Sequence, residues 1–275
     1  SVVVRPRSIA RLRFRLCLVI CALDSLGRAL LAEGATGDAS VLAKLSEANV
    51  PRLSLGEHGH FGASVQALGD FDGDGVVDLA VGAYHTNLAR GGAVHVLFMN
   101  ADGSVRANTE ISQTTYPGLG LNGADRFGSS LAALGDLDSE GVVDLAVDAQ
   151  YDDDGATDAG AVHVLFMNAD GSVRSHTKHS QTTVPALGLR ADDHFGGSVA
   201  ALGDLDGDSV LDLAVGAYPA RGEEGIVYVL FMSADGSVRA LATLSQPTVP
   251  GLDLSSGDRF GSSVAAVGDL DGDGV

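Results

Sequence analysis

Residues 61–81 read Phe61-Gly62-Ala63-Ser64-Val65-Gln66-Ala67-Leu68-Gly69-Asp70-Phe71-Asp72-Gly73-Asp74-Gly75-Val76-Val77-Asp78-Leu79-Ala80-Val81. Two short apolar stretches flank a loop with carboxylates at loop positions 1, 3, 5 and 9. Short apolar runs bounded by Gly and Asp are the pattern of strands joined by tight turns. Alternate aspartates in such a loop aim their carboxylates at one centre. Gly75, at position 6, permits the sharp turn that a Cβ hinders.

The stretch recurs. Phe-Gly stands at 61–62, 127–128, 195–196 and 260–261, with spacings of 66, 68 and 65 residues. Each is followed by Leu-Gly-Asp or Val-Gly-Asp, at 68–70, 134–136, 202–204 and 267–269. Asp-Leu-Ala-Val follows at 78–81, 144–147 and 212–215, then Val-Leu-Phe-Met ending at Met99, Met167 and Met232, then Ala-Asp-Gly-Ser-Val at 101–105, 169–173 and 234–238. In the middle unit this predicts strands over 129–134, 144–149, 161–167 and 173–181, the last more polar as an outer strand would be. Asp170-Gly171 predicts a tight hairpin between the last two. A four-stranded antiparallel meander repeated in tandem is the signature of a propeller blade. Helical periodicity does not persist after residue 50. A parallel β-solenoid is the closer rival, but its coils are shorter and the Asp-Gly hairpins argue for antiparallel neighbours. The fold class is therefore all-β, a partial β-propeller of about three complete blades.

Calcium takes six to eight oxygens at about 2.3–2.6 Å in a flexible shell. In the first loop Asp70, Asp72 and Asp74 supply carboxylates, the backbone carbonyl of Val76 supplies another oxygen, and Asp78 closes the shell. An EF-hand would need Glu at position 12 and flanking helices; position 12 here is Val81, inside a strand. The second loop offers Asp136, Asp138, Glu140, Val142 and Asp144, with Ser139 in place of a glycine and a longer side chain at position 5. The third offers Asp204, Asp206, Asp208, Val210 and Asp212, with Ser209 in place of the position-6 Gly, a cost of about 1 kcal/mol if that turn requires positive φ. The fourth has Asp269, Asp271 and Asp273 before Val275. The first loop is expected to bind best and the fourth not at all. An acidic turn without metal is the alternative for any one loop. Asp152-Asp153-Asp154 has no acidic counterpart in the first unit and reads as a solvated loop.

The formal net charge is -19, and it is uneven. Residues 1–23 hold five of the 17 basic residues and no acid, so the rest of the chain is strongly acidic. Such a chain repels nucleic acid and anionic lipid and suits hard cations. Cys17 and Cys21 are the only cysteines, so the body has no disulfide framework. The Arg-rich stretch precedes an apolar run over 16–23, too short to span a bilayer. It reads as a secretory signal, with an organellar transit peptide or a segment without targeting role as alternatives.

These motifs resemble the FG-GAP repeats of integrin α-subunit heads and of bacterial and algal surface proteins. Phe61-Gly62, Asp70–Asp78 and Gly82-Ala83-Tyr84 match the Phe-Gly, calcium-loop and Gly-Ala-Pro positions; Asp148-Ala149-Gln150 departs most. The resemblance implies structural Ca2+, a ring usually of seven blades, and adhesion or ligand binding with a protein or glycan partner. Blades are assigned to 61–126, 127–194 and 195–259, a truncated start to 260–275, and the outer strand of a preceding or closing blade to 40–60, where Ser40–Ser46 aligns with Ser237–Thr243. Residues 1–39 form the signal-like or irregular segment. The repeat count implies a longer native chain, secreted or at the cell surface. The expected function is a calcium-binding, non-catalytic interaction module, with a spacer array or the accessory propeller of a hydrolase as alternatives. No enzyme is expected: nearly every Asp recurs with the repeat, no nucleophile or zinc motif is present, and His95 and His163 fall at the repeat position of Tyr228.

Overall fold

The computed structural model describes residues 30–33, 40–51, 53, 59–85, 91–218 and 224–268, with backbone alone before residue 45. Of the expected signal-like or irregular segment over 1–39 only 30–33 are described, and the fourth loop, with Asp269, Asp271 and Asp273, lies outside the described residues.

A hairpin of β1 (Leu30–Glu33) and β2 (Ser40–Lys44) comes first. Three four-stranded sheets follow among the described residues. The first holds β3 (Phe61–Gly69), β4 (Asp78–Ala83), β5 (Ala93–Met99) and β6 (Val105–Ser112). The second holds β7 (Leu131–Ala133), β8 (Leu145–Ala149), β9 (Ala161–Met167) and β10 (Val173–His179). The third holds β11 (Phe195–Gly203), β12 (Asp212–Ala217), β13 (Ile226–Met232) and β14 (Val238–Leu244). Chain neighbours are sheet neighbours, and every pair is antiparallel. These are the blades expected of a propeller.

The second and third strands of the middle blade are buried on both faces because a blade packs on each side of it. All seven residues of β5 and of β9 are buried. The outer strands alternate with solvent, as in Val-Arg-Ala-Leu-Ala-Thr-Leu of β14. The last hairpin is set by its aspartate: Asp102, Asp170 and Asp235 each accept the amide of the serine two residues on, at 2.9–3.0 Å. This bond is local and shapes the turn without help from another strand.

Phe-Gly makes the joint between blades. The amide of Phe127 donates to Gly91 O, that of Phe195 to Ala159 O and that of Phe260 to Glu224 O, at 2.7–2.8 Å. The rings of Phe127 and Phe195 are fully buried, each in a cluster drawn from two blades. The approach is too close for a side chain: a Cβ on Gly92, Gly160 or Gly225 would lie 2.0–2.2 Å from the carbonyl oxygen of the next blade's Phe. Serine hydroxyls add to the joint. Ser64 donates to Gly128 O at 2.8 Å and Ser198 to Gly261 O at 2.7 Å.

Four expectations need correction. In the middle blade the first strand is only Leu131–Ala133, shorter than 129–134. The cause is Asp148, which stands where the other blades have Gly82 and Gly216. Its buried carboxylate accepts the Ser129 hydroxyl and, at 2.7 Å, the Ser130 amide, so the amide at the start of the strand is bound to a side chain. The outer strand ends at His179, not 181, where a turn begins. That turn recurs: Val50, Tyr116, Val184 and Val249 each donate to the serine four residues earlier, at 2.8–3.0 Å. It places Ser46 with Ser245, so the alignment of Ser40–Ser46 with Ser237–Thr243 is two residues out. Residues 30–33, expected to be irregular, form a strand.

Candidate metal centre

Each acidic loop joins the first and second strands of its blade. The turn demands a left-handed backbone at positions 4 and 6. Gly73 and Gly75 have φ of 80° and 87°, Ser139 and Gly141 of 64° and 88°, and Gly207 and Ser209 of 80° and 71°. Ser139 and Ser209 thus pay about 1 kcal/mol each for a conformation glycine adopts without penalty.

The turn gathers carboxylates. Donor atoms of Asp70, Asp72 and Asp74 all lie within 4.8 Å of one another, as do those of Asp136, Asp138 and Asp144, and of Asp204, Asp206 and Asp212. Asp78, Glu140 and Asp208 are not in these sets. Asp74, inside its set, and Asp208, outside it, accept the amides of Val76 and Val210, both at 2.9 Å.

The position-9 aspartate has a task that sequence reasoning did not foresee. Asp78 Oδ1 accepts the Met99 amide at 2.8 Å and Oδ2 the Phe71 amide at 3.2 Å. Asp144 does the same with Met167 and Leu137, both at 3.0 Å, and Asp212 with Met232 and Leu205, both at 2.9 Å. All three residues are buried. The side chain therefore pins the loop to the end of the third strand. Burial pushes all three carboxyls up, that of Asp144 to about 6, against the pull of those amides; the nearby loop carboxylates push the same way as burial.

The position-1 aspartates differ. Asp204 accepts the amides of Gly207, Asp208 and Ser209 at 2.7–3.0 Å, and the Ser209 amide is the main cause of its lowered pKa. Asp136 accepts the Glu140 and Gly141 amides at 2.8 Å.

Two oxygens at the centres stand out. Asp72 Oδ1 and Asp138 Oδ1 are buried with no hydrogen-bond partner. A buried carboxylate oxygen facing other carboxylates is costly unless a cation or donor meets it. An all-oxygen set in a flexible loop is the donor chemistry of a hard cation. The residues present fit a calcium ion.

A second partner to these carboxylates was also missed. Arg106, Arg174 and Arg239 reach back from β6, β10 and β14 to Asp72, Asp138 and Asp206. Arg106 also meets Asp74 at 3.1 Å and Arg239 meets Asp208 at 3.0 Å. The signal was in the sequence: the repeated Ala-Asp-Gly-Ser-Val is followed by Arg in all three blades.

Asp152-Asp153-Asp154 is not a solvated loop. Asp152 is buried and pairs with Lys178 at 2.8 Å, while Asp154 accepts the Ser180 hydroxyl at 2.7 Å. A further set, Asp158, Asp192 and His194, brings donor atoms within 4.8 Å of one another at the joint of the second and third blades. His95 and His163 are buried against Phe61 and Phe127, ring centroids 5.7 and 5.5 Å apart, as Tyr228 is against Phe195 at 5.3 Å. Burial lowers the pKa of both histidines.

Four-stranded blades, a Phe-Gly joint and an aspartate loop after the first strand define an FG-GAP repeat propeller. A profile of the FG-GAP repeat matches residues 61–97 and 195–230. Integrin alpha-4 of Xenopus laevis is 34% identical over 160 residues, which is 58% of this chain and 14% of that protein. Integrin alpha pat-2 of Caenorhabditis elegans is 29% identical over 237 residues, 80% of this chain and 17% of that protein. Integrin alpha-7 of Rattus norvegicus is 36% identical over 161 residues, 57% and 12%. The chain is an integrin-α-like FG-GAP repeat protein, and it spans less than a fifth of the length of these relatives. No helix among the described residues is long and apolar enough to cross a membrane.

Proposed function

We propose that the chain is a calcium-binding, non-catalytic interaction module of a secreted or cell-surface protein, with adhesion to a protein ligand as its role. The observation that carries the calcium reading is the pair of buried, partnerless oxygens, Asp72 Oδ1 and Asp138 Oδ1, each amid converging carboxylates. Asp70, Asp72, Asp74 and the Val76 carbonyl would hold the ion in the first loop. Asp136, Asp138, Asp144 and the Val142 carbonyl would hold it in the second, and Asp204, Asp206, Asp212 and the Val210 carbonyl in the third. Asp78, Glu140 and Asp208 complete the oxygen supply. The ion would contribute positive charge and loop rigidity, not a reaction. The similarity to integrin α chains supports adhesion, a protein partner and an extracellular setting. The absence of catalysis is supported by the repetition of nearly every acid and by the exchange of His95 and His163 for Tyr228 at one buried repeat position.

The test is thermal melting of the full chain against calcium. Millimolar calcium should raise the melting temperature by several degrees, and Asp72→Ala with Asp138→Ala should lose most of that rise. A melting temperature indifferent to calcium defeats the reading.

A further inference from the structure

Three carboxylates held together without an ion repel one another, and a chain that folds before it meets calcium has to balance them. The structure shows how. In every blade one arginine, 33–36 residues further along the chain, returns from the outer strand to the position-3 aspartate. It occupies Oδ2 of Asp72 and of Asp138, leaving Oδ1 of each as the partnerless oxygen. In the first and third loops the same guanidinium also meets the position-5 aspartate, through Asp74 Oδ2 and Asp208 Oδ2. In the second, with Glu140 at position 5, it meets Asp138 alone among the described residues. An ordinary surface ion pair contributes little. A pair repeated in three blades, on the carboxylates that converge, is aimed at the loop's charge.

We propose that Arg106, Arg174 and Arg239 are built-in counter-cations that hold the loops together without calcium and compete with the ion when it arrives. This rests on the calcium reading and adds its regulation. The guanidinium favours the ion-free loop through attraction to the carboxylates. It disfavours the ion-bound loop because a unit positive charge then lies beside a divalent one. Whatever favours the ion-free state weakens binding by the same factor. The arginines therefore set calcium affinity well below what the oxygens alone would give. They also keep the blades folded at low calcium. Because Arg106 and Arg239 hold two carboxylates and Arg174 one, the first and third loops are restrained more than the second.

Arg106→Gln, Arg174→Gln and Arg239→Gln test this in the full chain, by calcium titration calorimetry and by melting in a calcium chelator. Half-exposed arginines can be replaced without disturbing the core, and Arg→Lys keeps the charge without the planar guanidinium. The expected result is a fall of about fivefold in the calcium dissociation constant for Arg106→Gln and Arg239→Gln, less for Arg174→Gln, with lower melting temperatures in chelator. The lysine variants should fall between. Binding that is unchanged or weaker in the glutamine variants overturns the proposal, since the arginines would then be bystanders or would orient the ligands. If the parent chain binds no calcium, the calcium reading fails; glutamine variants that gain binding still support competition, and variants that do not bind overturn it.

Discussion

At the residue scale the most informative position is 148. The resemblance to FG-GAP repeats is weakest there, and the structure shows what replaced the glycine: a fully buried aspartate whose neighbours are Ser129, Ser130 and the next blade's Gly196. Desolvation pushes its pKa up to about 7, against the pull of the Ser129 hydroxyl and the Ser130 amide. The unfolded group titrates near 4. Between these values the folded chain holds the extra proton, so its contribution to stability is full at low pH and is lost as pH rises through 7. Asp148→Asn has no such group. Its urea midpoint relative to the parent should therefore climb between pH 5 and pH 8; parallel profiles would remove Asp148 as the titrating group. The aspartate was visible in the sequence as an oddity. Its burial was not, because only the packing of the third blade against β8 removes it from water.

At the element scale the acidic loop is held by two kinds of carboxylate that look alike in the sequence. Asp70, Asp72 and Asp74 face one another, whereas Asp78 faces the amides of Met99 and Phe71. Removing Asp212, its counterpart, leaves two buried amides unpaired. Asp212→Ala should therefore cost about 3 kcal/mol in chemical denaturation without calcium, and more with calcium, because it also removes a carboxylate of the third loop's converging set. Asp206→Ala should cost far less without calcium. Equal losses in the two variants would erase the distinction between pin and ligand. The strands themselves were legible: Ala161–Met167 lies where its apolar run predicts, and Asp-Gly marks each last hairpin. Loop positions 1, 3, 5 and 9 were legible as a set. The division of labour among them was not, because one of the two amides that claim position 9 comes from a strand about 20 residues away.

At the scale of the whole molecule the blades do not stand alone. Phe195 shares one buried cluster with Val162, Val164 and Phe166 of the second blade and with Val215 and Tyr228 of the third. In tandem repeats such interfaces supply much of the stability, and each unit leans on its neighbours. Phe195→Ala should cost about 4 kcal/mol. It should also speed amide exchange in β9 as well as in β12 and β13. Exchange raised in the third blade alone would show that the joint carries no coupling. The joint also explains the repeat motif: the Phe ring fills the shared core while its backbone runs too close to Gly92, Gly160 or Gly225 for any side chain.

The order and period of the motifs by themselves determined the class of fold, the meander of each blade and the place of the acidic loops. These are local matters: alternation, turn chemistry and the spacing of carboxylates act within a few residues. Only the tertiary structure decided which aspartates are pins, that Lys178 holds Asp152, that Arg106, Arg174 and Arg239 reach the loops, and that Asp148 is buried. Each of those depends on a partner from another strand or blade. A charge's environment is set by what folds over it, not by its neighbours in the chain.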